Sequence, residues 1–112
     1  MLDAAAPPRV SHVAACLAAT EGPIVAATDY IRTFAEQIRA FVPRRYLVLG
    51  TDGFGRSDTR EKLRYFFEVD RWWVTVAALK ALADDGTVPA AKVVEAMEKY
   101  ALDPAKPAPW TV

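Results

Sequence analysis

Asparagine does not occur in this chain, and histidine and cysteine occur once each, as His12 and Cys16. A single thiol excludes an internal disulfide and suits a reducing compartment. One imidazole with no second thiol excludes the usual His/Cys metal sets. Neither charge sign dominates: 14 basic residues face 14 acidic ones. That balance leaves no electrostatic footprint for nucleic acid or for an anionic membrane. No apolar run reaches the ~18 residues that a membrane-spanning helix needs. The first residues carry neither a basic n-region nor a long apolar h-region, so a cytoplasmic setting is expected.

What is present is apolar and short. The chain has 112 residues, 53% of them hydrophobic. Much of that share is alanine, which adds little burial per residue. One domain is the most that this length supports, with roughly 65% of the unfolded surface buried on folding. Residues 1–22 read as an Ala/Pro-rich lead-in followed by a short amphipathic helix over Val10–Ala19, ended by Glu21-Gly22-Pro23. Ile24–Ala27 and Tyr46–Leu49 read as buried strands. Between them, Tyr30, Phe34, Ile38 and Phe41 form a 3.6-residue stripe. One helix is therefore expected from a cap at Thr28 or Asp29 to the stop at Pro43. A strand–helix–strand unit makes the two strands parallel.

Leu49 to Asp58 carries most of the information. Gly50, Gly53 and Gly55 crowd a strand-to-helix bend, which points to positive φ at Gly53 or Gly55, or to a close backbone approach. The next helix is expected to be capped by Ser57 or Asp58, with Glu61 completing a capping box, and to run to Phe67. Asp70 caps a helix that Gly86 closes, and Pro89 opens a last helix as its first residue. Asp103–Pro109 reads as an extended proline-rich tail. Leu47, Leu49, Phe34, Ile38, Leu79 and Leu82 are expected to share one core.

The Gly50–Asp58 stretch and the following Thr59-Arg60-Glu61-Lys62-Leu63-Arg64-Tyr65-Phe66-Phe67-Glu68-Val69-Asp70 resemble the C-terminal domain of the homodimeric pyruvate dehydrogenase E1 family. That family is transketolase-like and dependent on thiamine diphosphate. Ala26–Tyr30, Phe34–Gln37, Tyr46–Gly50, Val76–Leu79 and Leu102-Asp103-Pro104 resemble it too. The resemblance implies an α/β fold: a partial transketolase C-terminal-like domain with parallel strands and flanking helices. Residues 23–103 would be the second half of that domain, after the 1–22 lead-in and before the 104–112 tail.

The family's reaction is oxidative decarboxylation of pyruvate with acetyl transfer to lipoyl groups. Its cofactors are thiamine diphosphate and Mg²⁺. The Gly-Asp-Gly and Asn residues that hold them, and the activating glutamate, belong to other domains of a much longer protein. Here Thr51-Asp52-Gly53 lacks the first glycine, and no asparagine follows. No residue of this chain is therefore expected to be catalytic, to bind cofactor or to hold metal. The expected partners are the remainder of an E1 chain, a second E1 subunit and, through the whole enzyme, dihydrolipoyl acetyltransferase. Neither nucleic acid nor membrane is expected. The alternative is a truncated or stand-alone non-catalytic interaction domain.

The residues singled out as interface or structural-loop candidates are Gly50, Asp52, Gly53, Phe54, Gly55, Arg56, Trp72 and Trp73. The glycine loop could cradle an anion beyond a strand end. Asp52 and Asp58 flank it, however, and no lysine follows in P-loop register, so a structural loop against a neighbouring domain is the favoured reading. Tyr65, Phe66, Phe67, Trp72 and Trp73 are too dense to point inward together, so some are expected to face another protein surface. His12 and Cys16 lie one turn apart and are read as a surface histidine and a small packing residue. Arg44-Arg45 and Arg60-Lys62-Arg64 read as solvated faces. Two strands leave an open edge, so the isolated chain is expected to self-associate.

Overall fold

The structure is a computed structural model that describes residues 3–112; Met1 and Leu2 of the lead-in lie outside the described residues. Its regular elements begin with α1 (His12–Leu17). The Ser11 hydroxyl accepts from the Ala14 amide at 3.1 Å, and that cap starts the helix two residues later than Val10. Thr20 closes the other end by donating its hydroxyl to the Leu17 carbonyl at 3.0 Å. The expected ten-residue helix is thus trimmed at both ends by polar groups that bond the local backbone.

Strands β1 (Ile24–Ala27) and β2 (Tyr46–Leu49) pair in parallel, with Ile24 opposite Tyr46 and Ala27 opposite Leu49. The pairing runs one step further at each end, through Ile24 N–H to the Arg45 carbonyl and Thr28 N–H to the Leu49 carbonyl.

The crossover between the strands is not the continuous helix that the stripe suggests. It contains only α2 (Thr33–Glu36) and a 3-10 turn over Arg39–Phe41. Tertiary bonds take the Tyr30 and Ala35 carbonyls, which a helix from Asp29 would offer to the Phe34 and Arg39 amides. The Tyr30 carbonyl accepts from the Thr51 amide at 2.9 Å, and Asp52 accepts from the Arg32 amide at 3.3 Å. At the far end the Tyr46 hydroxyl donates to the Ala35 carbonyl at 2.8 Å, which in a longer helix would face the Arg39 amide. The stripe itself stays in solvent: Tyr30 is 69% and Phe34 60% exposed, and Ile38 and Phe41 are exposed as well.

Three more helices follow. Helix α3 (Arg60–Phe66) is capped by Thr59, not by Ser57 or Asp58. The Asp58 carboxylate accepts from the Thr59 amide instead, which leaves the Thr59 hydroxyl to receive the Lys62 amide. Helix α4 (Arg71–Asp84) starts as expected at Asp70, whose Oδ1 accepts from both the Trp72 and Trp73 amides at 2.9 Å. Gly86 follows its end with φ of +78°. Helix α5 (Ala90–Lys99) has Pro89 as its cap, one position before the expected first helical residue, because Pro89 keeps an extended ψ of 143°.

Helix α4 packs against both strands and α5 packs against α4. The main buried cluster is Val76, Val93, Ala96 and Leu102, with Leu79, Trp73 and Tyr100 half-buried around it. It therefore lies between the two helices and the segment after them. Leu79 joins it, whereas Phe34 and Ile38 are outside any core. In β2 the buried positions are Tyr46 and Val48, while Leu47 and Leu49 are only half-buried. A four-residue strand that is apolar throughout does not announce its inner face, and a shift of one residue exchanges the two. The radius of gyration is 17.1 Å against about 13 Å for a compact domain of this length, so the chain is elongated, and Tyr30, Phe34, Phe41 and Phe54 lie exposed on it.

Two outcomes follow from this packing. Leu102→Ala should cost about 2–5 kcal/mol in a urea unfolding experiment, the range for emptying a buried leucine site, whereas Phe34→Ser should stay within about 0.5 kcal/mol. The second outcome concerns alkali. Burial pushes the Tyr46 phenol above its ordinary value. The folded chain then holds that proton more tightly than the unfolded chain. The associated stability is complete below the unfolded tyrosine value of about 10 and is lost as pH rises through the folded one. Melting followed by circular dichroism should show a fall above about pH 10 that is absent in Tyr46→Phe.

Candidate functional site

The carboxyl ends of β1 and β2 carry the turn at Asp29–Arg32 and the glycine loop. The two are tied directly. The Thr51 hydroxyl donates to the Asp29 carbonyl at 3.0 Å, and its amide donates to the Tyr30 carbonyl. Gly50 allows this approach, because a Cβ there would lie 2.8 Å from both the Arg32 nitrogen and the Tyr30 oxygen. Asp52 then accepts from the Arg32 amide and pairs with the Arg32 guanidinium.

The tail completes the arrangement. It does not run out extended into solvent, as its prolines suggest. Lys106 lies over the Phe66 and Trp73 rings and pairs with Glu68 at 3.0 Å. Pro109 is buried and opens a 3-10 turn over Pro109–Thr111. The Arg32 guanidinium sits 4.6 Å from the centre of the Trp110 ring, so Asp52 and Trp110 hold it jointly. Gly53 faces the tail with φ of +115°, and a Cβ there would meet the Pro109 carbonyl oxygen at 2.7 Å. Positive φ at this site is expected from the glycine spacing; the contact with the returning tail is not.

The remaining candidates fall on two other surfaces. Phe54 is 80% exposed, and Gly55 has open space around it with no positive φ, so the third glycine is not required by this geometry. Arg56 stacks on Phe66 at 4.1 Å. Trp72 and Trp73 are separate from the loop. Trp72 stacks on Tyr100 at 4.5 Å between ring centres, and Trp73 tilts against Tyr65 at 6.1 Å. The chain thus packs most of its dense aromatic run against itself: Phe66 lies edge-on to Phe67, and only Trp72 of the five counts as exposed.

Arg32, Glu68, Lys106 and Trp110 belong to this constellation and were not among the sequence candidates. The one sequence signal for Trp110 was its place as a large aromatic in an otherwise small and polar tail. The His12 and Cys16 side chains do meet, Nε2 to Sγ at 3.4 Å, on the exposed side of α1. Among the described residues, no group of three His, Cys, Asp or Glu side chains could hold a metal ion. None of the described helices is long and apolar enough to cross a membrane.

The glycines should separate cleanly on substitution. Gly53→Ala combines a left-handed backbone with the Pro109 contact, and it should lower unfolding free energy by at least about 1–2 kcal/mol. Gly55→Ala should be neutral or stabilise by up to about 1 kcal/mol, because it restricts only the unfolded chain. Equal effects in chemical denaturation would mean that the tail does not clamp the loop.

Comparison with known proteins gives the frame for this geometry. The family model described as transketolase-like TK C-terminal domain matches residues 4–70. The pyruvate dehydrogenase E1 component of Cupriavidus necator is 70% identical over 105 residues, which are 94% of this chain and 12% of that protein. The Pseudomonas aeruginosa component is 58% identical over 100 residues, 88% of this chain and 11% of that protein. The Escherichia coli K12 component is 49% identical over 104 residues, 92% of this chain and 12% of that protein. The chain spans only about an eighth of the length of these relatives. On this match and on the parallel-strand α/β architecture, the chain belongs to the transketolase-like C-terminal domain family.

Proposed function

We propose that this chain serves as the C-terminal portion of a pyruvate dehydrogenase E1 component, in a structural and subunit-supporting role. The observation that carries the reading is the 70% identity that runs over 94% of the chain. The enzyme so formed is a cytoplasmic homodimeric oxidoreductase. It decarboxylates pyruvate with thiamine diphosphate and Mg²⁺ and passes the acetyl unit to a lipoyl group of dihydrolipoyl acetyltransferase. This segment supplies none of the reacting groups. An octahedral Mg²⁺ site needs several oxygen ligands in fixed places, and the chain has no asparagine and no Gly-Asp-Gly to begin one. Its part is to present the bound-down glycine loop and the exposed Tyr30–Phe41 ridge to the remainder of the E1 chain or to a second subunit.

A stand-alone interaction domain without catalysis is the second reading. The same exposed ridge favours it, since a ridge of this kind invites a protein partner whatever the parent.

Titration calorimetry on the purified chain should show no saturable, Mg²⁺-dependent binding of thiamine diphosphate, and pyruvate should not be consumed. Saturable binding would falsify the non-catalytic role. Sedimentation at micromolar concentration should show dimers or larger species, because the strand edge and the ridge lack cover and the balanced charge adds little repulsion. A cooperative monomer would count against both readings of the ridge.

A further inference from the structure

A groove of about 500 Å³ opens beside the glycine loop, beyond the carboxyl ends of the two parallel strands. Its floor is apolar, formed by Leu63, Phe67 and Val69. Arg56, Arg60 and Arg64 line it, together with two carboxylates, Asp29 and Asp58. Both carboxylates are already engaged. Asp29 pairs with Arg64 at 3.0 Å, and Asp58 accepts from the Thr59 amide at 2.7 Å with the Lys62 ammonium 4.0 Å away. Asp52, which with Asp58 argued against an anion here, pairs with Arg32 and does not line the groove. Arg56 and Arg60 make no ion pair among the described residues, and Arg56 is held flat against Phe66.

We infer that this groove binds a small organic anion with an apolar part, its charged group between Arg56 and Arg60 and its apolar part on Leu63, Phe67 and Val69. The location is where open parallel sheets place ligands. The two halves of the lining act together. An inorganic anion would leave the apolar floor wet, and a neutral apolar molecule would gain nothing from either guanidinium. Arginine's planar fork accepts carboxylate and phosphate in two-pronged fashion, so either head group fits. Gly53, whose backbone abuts Pro109, forms part of the groove's lining. The groove is built from residues of this chain alone, and its occupancy requires that Gly55 and Arg56 stay uncovered where the loop meets the rest of an E1 chain.

The test is saturation-transfer NMR on the full chain with phenyl phosphate as probe, and with inorganic phosphate and phenol as its two halves. Phenyl phosphate should bind saturably and more tightly than either half. The double substitution Arg56→Ala/Arg60→Ala should weaken it by about tenfold or more, as expected for the loss of two charge-assisted contacts. Arg9→Ala, remote from the groove, should leave it unchanged. Arg56 and Arg60 are exposed and free of ion pairs among the described residues, and circular dichroism will show whether the double variant keeps its fold; Leu63→Ser tests the floor separately. Absence of saturable transfer would overturn the proposal. So would equal binding by the double variant, or inorganic phosphate or phenol binding as well as the intact probe.

Discussion

The Arg32–Asp52 contact is the joint on which the architecture turns. Asp52 takes both the amide and the guanidinium of Arg32, and Trp110 lies over the guanidinium. As an ion pair this half-exposed contact is worth about 1 kcal/mol at most. Its weight is geometric. It joins the segment after β1, the loop after β2 and the last residues of the chain, three pieces that are neighbours only after folding. Gly50 and Gly53 give way on either side of it, one to Arg32 and Tyr30, the other to Pro109. The late start of the crossover helix has the same origin, since the loop claims the Tyr30 carbonyl that a helix from Asp29 would offer to the Phe34 amide.

The second organising fact is where apolar cover is missing. The main core is built by α4, α5 and Leu102, and no large side chain in the described residues is fully buried. A chain of this length has little surplus apolar surface with which to seal both sides of a two-stranded sheet. The ridge from Tyr30 to Phe41 and the outer edge of β1 remain open in consequence. The family match fits this picture, because the chain corresponds to about an eighth of its relatives.

Helix ends show how far local chemistry is readable. Asp70 and Gly86 bracket α4 with residue types that serve few other purposes at those spacings. Other ends are silent in the sequence. Glu68 and Ala101 sit in the left-handed region, with φ of 62° and 52°, where glycine is the usual choice. Each is held by backbone bonds across the helix end, Val69 N–H to the Arg64 carbonyl and Leu102 N–H to the Met97 carbonyl. Lys106 further anchors Glu68. Packing of Leu102 into the core and the Lys106 pair offset a backbone strain that composition alone does not reveal.

The two strands, the helices α1, α3, α4 and α5, the parallel pairing, the family and the glycine bend were set by the sequence itself. Strand hydrophobicity, cap residues and glycine spacing act over a few residues and leave a local trace. The inner face of β2, the break in the crossover helix and the partners of the candidate site were decided by tertiary structure. Their causes lie between 11 and 57 residues away along the chain, in the Tyr46–Ala35, Asp52–Arg32 and Gly53–Trp110 contacts. A hydrophobic stripe records which side of a segment could be buried. Only the rest of the chain determines whether anything is there to bury it.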